Sequence, residues 1–208
     1  MCIINYKSKK EERINMRKSD EMAELFSVID KLPEKCSLTL AIEGPSASGK
    51  TTLSEMLREK YNCTVFHMDD FFLRPEQRTP ERYAEVGGNI DRERFLEDVL
   101  IPLKKGANIN YSRFDCSQMK LLEPVVIKPQ KLTVIEGVYS MHPAFSGYYD
   151  LSVFLDINSE LQKERIMKRN TPEKAERFFN EWIPIENKYF SGTDVKSRCD
   201  FCIKIMNE

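Results

Sequence analysis

Apolar and polar positions along the chain switch between two periods. Ser37–Gly44 (Ser-Leu-Thr-Leu-Ala-Ile-Glu-Gly), Thr64–Met68, Leu132–Ile135, Leu151–Leu155 and Phe201–Ile205 are short apolar runs bounded by turn residues, the pattern of buried strands. Between them the spacing becomes helical: Thr51–Tyr61 carries Leu53, Met56 and Leu57, and Arg92–Lys105 carries Phe95, Val99 and Leu103 on one face. Ser159–Asn170 and Glu173–Phe190 also read as helices, and Met22, Leu25, Phe26, Ile29 and Leu32 place another before Pro33, behind the charged run Lys7–Asp20. Strands alternating with helices predict an α/β fold, a parallel sheet with helices on both faces. Asn108–Arg113 and Val125–Lys128 are expected to add a small antiparallel hairpin. With no repeat or linker, the expected organisation is a single domain over residues 1–208, with residues 1–35 as a helical extension and a core of 36–205.

Composition narrows the partners. The 208 residues hold 32 Lys+Arg against 33 Asp+Glu, a net charge of −1. Such a balance argues against a nucleic-acid binder while leaving a local anion site open. No apolar run approaches the roughly 18 residues that cross a bilayer, and the N-terminus lacks a signal-peptide pattern. A cytoplasmic protein with no membrane or nucleic-acid partner is expected. Of the six cysteines, Cys199 and Cys202 have metal-like spacing. No second Cys or His pair completes the set, and their segment alternates like a strand, so they read as free thiols.

The strongest chemical signal is Gly44-Pro45-Ser46-Ala47-Ser48-Gly49-Lys50-Thr51, followed by Thr52, which fits G-x-x-x-x-G-K-[ST] between a predicted strand and a predicted helix. Glycines let such a loop wrap its N–H groups around phosphate oxygens, and the helix N-terminus adds partial positive charge. Lys50 then reaches the β- and γ-phosphates and the Thr51 hydroxyl holds Mg²⁺. This predicts ATP binding without saying what is done with the nucleotide.

Acids decide that question. Val65-Phe-His-Met-Asp69-Asp70 ends a predicted strand in two carboxylates, and ligands in open parallel sheets sit at the carboxyl ends of strands. Asp69 is placed to accept the proton of an attacking hydroxyl or to hold a metal-bound water, whereas Asp70 suits a turn or helix cap. Glu136, after the apolar run Leu132–Ile135, is a second metal-side acid. His67 reads as a packed residue. Arg165 and Arg169, at (i, i+4) on one predicted helix with Lys163 and Lys168 nearby, are candidates to stabilise a transferring phosphoryl group.

Gly44–Thr52, Met68-Asp69-Asp70-Phe71-Phe72, Ile135-Glu136-Gly137-Val138-Tyr139 and Gly87-Gly88-Asn89-Ile90-Asp91-Arg92-Glu93-Arg94-Phe95 together resemble the uridine kinase and phosphoribulokinase family over roughly residues 36–205. The resemblance implies a parallel sheet of five strands in the order 2-3-1-4-5, with an added hairpin over the nucleoside. It implies ATP or GTP as donor, Mg²⁺, and a nucleoside 5′-hydroxyl as acceptor. By the same resemblance Asp69 is the catalytic base and also lies near the metal, and Thr51 and Glu136 are metal-side residues. Asp91 grips ribose hydroxyls, Tyr111 contacts the base, Phe72 lines the acceptor, and Arg165 and Arg169 sit in a lid helix. Three positions depart from the family pattern. Phe72 replaces a tyrosine, the segment Ser112-Arg-Phe-Asp-Cys116-Ser lacks a histidine, and the region after Arg169 is not arginine-rich.

The expected function is an ATP-dependent kinase acting on a small-molecule hydroxyl, with uridine or cytidine as the leading acceptor type. Alternatives are pantothenate, another riboside, or a sugar phosphate read by Arg74, Arg78, Arg82 and Arg113. A second class is a P-loop protein that hydrolyses nucleotide to switch a partner. A homo-oligomer stays open by analogy with the family.

Overall fold

The computed structural model describes residues 18–33 and 36–206, so most of the charged run Lys7–Asp20 lies outside the described residues. Along the chain the strands are β1 (Leu38–Glu43), β2 (Thr64–His67), β3 (Ile109–Tyr111), β4 (Phe114–Asp115), β5 (Lys120–Leu121), β6 (Val125–Ile127), β7 (Leu132–Glu136), β8 (Leu151–Ile157) and β9 (Phe201–Ile205). The α-helices are α1 (Lys18–Asp30), α2 (Lys50–Tyr61), α3 (Pro80–Ala84), α4 (Arg92–Phe95), α5 (Ile101–Lys104), α6 (Ser159–Arg169), α7 (Pro172–Arg177), α8 (Ile183–Thr193) and α9 (Val195–Arg198).

The main sheet runs β2-β7-β1-β8-β9 with every neighbouring pair parallel. Counted within the sheet this is the order 2-3-1-4-5 expected from the resemblance. The hairpin is present too, as β3 paired antiparallel with β6 from Ile109↔Ile127 to Tyr111↔Val125. A second, smaller hairpin of β4 and β5 at its tip was not foreseen. It is two residues per strand, too short for a period to register.

Strand residues alternate between two cores because successive side chains point to opposite faces. Leu40 and Ile42 of β1, Val134 of β7 and Val153 of β8 meet Leu25 and Ile29 of α1 and Leu53 and Leu57 of α2. On the other face Ile135 and Phe154 meet Phe95, Val99, Ile109, Tyr189 and Val195. The sheet is therefore covered on both sides, as its continuous apolar runs require.

Two predicted helices are interrupted. Arg92–Lys105 is α4, a π-helical stretch Leu96–Leu100 and then α5, and Glu173–Phe190 is α7, a π-helical stretch Phe178–Trp182 and then α8, which runs on to Thr193. In both, a proline (Pro102 or Pro184) follows directly behind the widened turn. Proline lacks the N–H and its ring collides with the carbonyl four residues back, so a locally wider turn relieves both defects.

Candidate active site at the strand ends

The carboxyl ends of β1, β2 and β7 converge on one cleft. Two glycines make this convergence possible. A Cβ at Gly44 (φ +145°) would stand 2.6 Å from the Leu155 carbonyl oxygen, and one at Gly137 (φ +142°) 2.7 Å from Met68 Cβ. Only glycine lets β1 turn out against β8, and β7 against the Met68 turn.

A cavity of about 460 Å³ opens there, lined by Ser46, Ala47, Gly49, Lys50, Thr51, Thr52, Asp69, Glu136–Val138, Arg165, Lys168 and Arg169. The structure thus brings together the phosphate loop, both predicted acids and both predicted arginines. The loop is preformed. Ala47 and Gly49 hold positive φ of 65° and 101°, and the Lys50 ammonium donates to the carbonyls of Gly44 and Pro45 at 2.9 Å each. From α6, Arg165 Nη1 donates to the Ala47 carbonyl at 3.3 Å. The Arg169 guanidinium lies 5.3 Å over the Phe178 ring.

Asp69 follows β2 in a short 3₁₀ turn, Met68–Phe71. Its side chain is open to the cavity yet ringed by protein at longer range. Lost hydration is the largest influence and raises its carboxyl above the ordinary aspartate value, Glu136 and Asp70 push the same way, and Lys50 opposes them. A carboxylate raised in this way is a better proton acceptor than a surface aspartate.

Glu136 ends β7, buried, and its Oε1 accepts from the Thr51 hydroxyl at 3.2 Å and meets His67 Nδ1 at 2.7 Å. His67, expected to be a packed residue, instead borders the site. Its pKa is raised, chiefly by the bond to Glu136, with burial working against it. Among the described residues no group of three or more His, Cys, Asp or Glu side chains converges as a ready-made metal cage. The oxygen donors Thr51, Glu136 and Asp69 on the cavity wall instead suit Mg²⁺, which keeps several waters and binds through one or two carboxylates plus substrate phosphates. Cys199 and Cys202 are free thiols, as are Cys63 and Cys116.

The predicted acceptor residues lie beside this cavity rather than in its wall. Asp91 is 1% exposed; it caps α4 by accepting from Arg94 N–H at 3.2 Å, and Arg74 Nε lies 3.3 Å from its other oxygen. Tyr111 is buried against Phe66 and Phe71. Its hydroxyl donates to Asp70 at 2.5 Å and accepts from His67 N–H at 3.3 Å. Asp70 also receives Arg113 Nε at 3.0 Å, so it organises a hydroxyl and a guanidinium at the base of the hairpin. Phe72 forms an isolated antiparallel bridge with Ile90, tying the Asp69 turn to the segment before Asp91. Of the four arginines considered for an anionic acceptor, Arg82 is fully engaged by Glu93, Gly88 and Ile90.

Two carboxylates were missed. Glu43, wholly buried at the end of β1, accepts from the N–H groups of Gly44, Tyr139 and Met141 and from the Tyr189 hydroxyl at 3.0–3.2 Å. Burial pushes its pKa up to about 7 against those donors and Lys50. The signal was available: Ile42-Glu43-Gly44 ends an apolar strand in an acid followed by glycine, as Ile135-Glu136-Gly137 does. The other, Glu186, sits inside the stretch Glu173–Phe190, read only as helical, where nothing distinguished it.

Comparison with known proteins places these features. The family model described as phosphoribulokinase / uridine kinase family matches residues 39–177. A uridine kinase of Latilactobacillus sakei is 25% identical over 154 residues, which is 70% of this chain and 72% of that protein. A thymidylate kinase of Staphylococcus epidermidis is 25% identical over 170 residues, covering 71% of this chain and 80% of that one. Among solved structures, one described as a possible uridine kinase from Bacillus stearothermophilus superposes with a TM-score of 0.66 at 22% identity, covering 90% of this chain and 100% of that one.

Proposed function

Because the chain belongs to the phosphoribulokinase and uridine kinase family, we propose that it is an ATP-dependent kinase transferring the γ-phosphate to a hydroxyl of a small molecule, in the first instance the 5′-hydroxyl of a uridine- or cytidine-like nucleoside. The observation that carries this reading is one cavity walled by both the phosphate loop with Lys50 and the open carboxylate of Asp69. A nucleotide-binding loop alone fits many reactions. A proton acceptor with a raised pKa across the cavity from it fits an attacking hydroxyl.

The loop amides and Lys50 hold the β- and γ-phosphates, with GTP as the alternative donor. Asp69 orients the acceptor hydroxyl and takes its proton as the oxygen attacks the γ-phosphorus and the bond to the β–γ bridging oxygen breaks. Arg165 and Arg169 reach in from α6 to balance the charge that spreads over the transferring group. Thr51 and Glu136, with Asp69 beyond them, are the residues that would hold Mg²⁺, which when bound offsets phosphate charge. His67 fixes the orientation of Glu136.

A different acceptor within the same chemistry is favoured by one observation. The Arg113 side chain is 64% exposed while anchored on Asp70, a fixed cation where a neutral nucleoside base needs none. That suits pantothenate or a sugar phosphate. The experiment is ADP release from Mg·ATP with uridine, cytidine, nicotinamide riboside, pantothenate, ribulose 5-phosphate or no acceptor. Stimulation by one acceptor over the blank is the expected result and names the substrate. Equal release in every tube would sink the kinase reading in favour of plain nucleotide hydrolysis.

A further inference from the structure

The phosphate loop is gripped from outside by side chains that the phosphotransfer chemistry above does not use. Glu186 of α8 is 5% exposed. Its Oε2 accepts from Ser46 N–H at 2.9 Å, and its Oε1 accepts from the Ser46 hydroxyl. Gln162 of α6 donates Nε2 to the Ser46 carbonyl at 2.9 Å. Every polar group of Ser46 is thus held by a neighbouring helix. The next residue, Ala47, packs on the apolar cluster of Ile166, Ala175, Phe178 and Trp182.

A buried carboxylate is expensive unless its charge is matched. Glu186 is raised chiefly by its burial, lowered by Ser46 and Lys50, and raised again by Asp69, so it faces the same chemistry from behind the loop. The other end of α8 reaches the acceptor half. Lys188 Nζ donates to the Ala84 carbonyl at 2.8 Å, and a Cβ at Gly192 would stand 3.0 Å from Val86. The Tyr189 hydroxyl bonds to Glu43 at 3.0 Å. One rigid helix therefore touches the phosphate loop at Ser46 and the segment that leads into Asp91.

We propose that Glu186 is a positioning residue of the nucleotide site: by holding both donors of Ser46 it locks the outer half of the phosphate loop to α8, so that nucleotide binding is felt by α8 and through it by the acceptor-side segment 84–91. The inference rests on the reading of this cavity as an ATP site. It does not place Glu186 in contact with substrate.

Trp182 is the chain's single tryptophan. It lies one turn before Glu186, with its ring edge-on to Phe178 at 4.4 Å, and so reports on this helix. The experiment titrates the full chain with Mg·ATP, reading Trp182 emission and the Kd by calorimetry, for wild type, Glu186→Ala, Glu186→Gln and Glu186→Asp. Wild type should bind with a change in emission. Glu186→Ala should bind about tenfold or more weakly, as expected for a lost charge-assisted hydrogen bond, and its emission change should flatten. Glu186→Gln, whose carbonyl still accepts from Ser46 N–H, should stay within about threefold of wild type.

Glu186→Asp is one methylene too short to span both donors and should fall between these, and it carries the test if the alanine variant does not fold. Alanine or aspartate variants that match wild type in Kd and in emission would overturn the proposal. Wild type failing to bind Mg·ATP in the calorimeter would instead overturn the nucleotide-site reading, which separates the two failures.

Discussion

Replacing Asp69 by asparagine tests the proposed chemistry most directly, because the swap keeps the shape and removes only the proton-accepting charge. A positioned general base contributes about 10²–10⁴ in rate. At about 1.36 kcal/mol per tenfold, its loss should raise the barrier by roughly 3–5 kcal/mol. Two further signs follow from the structure. The folded protein disfavours the Asp69 charge, since burial, Glu136 and Asp70 outweigh Lys50. A neutral amide removes that penalty, so the melting temperature at neutral pH should hold or rise. ATP phosphates carry the same sign of charge as Asp69, while Asp69 also stands on the metal side; the two effects oppose each other, so Mg·ATP binding should stay largely intact in the variant.

Acceptor-dependent ADP release, calorimetric ATP binding and a thermal melt read these three quantities on one preparation. The pH profile adds a fourth. A base works only when deprotonated, so activity should fall as pH drops through a pKa above the ordinary aspartate value of 3.8. That acid limb should vanish in the variant. Turnover within about threefold of wild type, far short of the general-base contribution, would remove Asp69 from the mechanism.

Three other outcomes are expected. Lys50→Ala should lower ATP affinity and turnover together, because in the proposed mechanism its ammonium serves phosphates in both ground and transition states; calorimetry and steady-state kinetics separate this from a pure kcat effect. His67→Phe should raise the Mg²⁺ concentration needed for ATP binding by about tenfold or more, the usual effect of losing a partner behind a metal ligand, the role proposed for Glu136. His67→Asn should restore part of it, and melting should change little since the His67 side chain is 33% exposed. His142 accepts from Ala144 N–H through Nδ1, and burial holds its pKa down at about 4 against a reference of 6.5. Below 6.5 the unfolded chain takes up the proton that the folded one refuses. Stability should therefore fall between pH 6.5 and 4, by at most about 3 kcal/mol. Chemical denaturation of wild type against His142→Asn, which keeps an acceptor for the cap, isolates this slope; parallel curves would refute it.

The sheet was legible because its strands are buried on both faces and so appear as short apolar runs, from Leu38 to Ile42 and from Leu132 to Ile135, each interrupted only by one threonine, Thr39 or Thr133. The helix breaks were not, because Pro102 and Pro184 sit inside patterns whose apolar spacing continues through them. Spacing records which side chains face inward and is insensitive to one widened backbone turn. The phosphate loop, Asp69, Glu136 and the α6 arginines were legible for a different reason. Each lies in a local order of strand, turn and helix that chemistry fixes along the sequence, and the structure gathers all of them into one cavity.

The acceptor side behaves otherwise, and the reason is physical. Asp91 and Tyr111 carry the right groups at the right positions in the chain, yet here one is a helix cap paired with Arg74 and the other donates to Asp70. A carboxylate or a phenol can serve a ligand or its own fold, and sequence does not record which partner holds it. The same ambiguity explains Glu43, His67 and Glu186, whose partners are 96, 69 and 140 residues away in the chain. Long-range polar pairing has no period and no fixed spacing. What marks these three residues together is that each holds a group of the strand-end cleft without needing to touch substrate: Glu43 the turn after β7, His67 the carboxylate of Glu136, Glu186 the loop at Ser46. A cleft whose proposed reacting groups come from short motifs is thus kept in register by carboxylates and a histidine from outside those motifs. Variants of Glu43 and Glu186 should move nucleotide affinity more than they move the pKa of Asp69, and a pH profile of the Glu186→Gln variant that keeps the wild-type acid limb would show that division of labour directly.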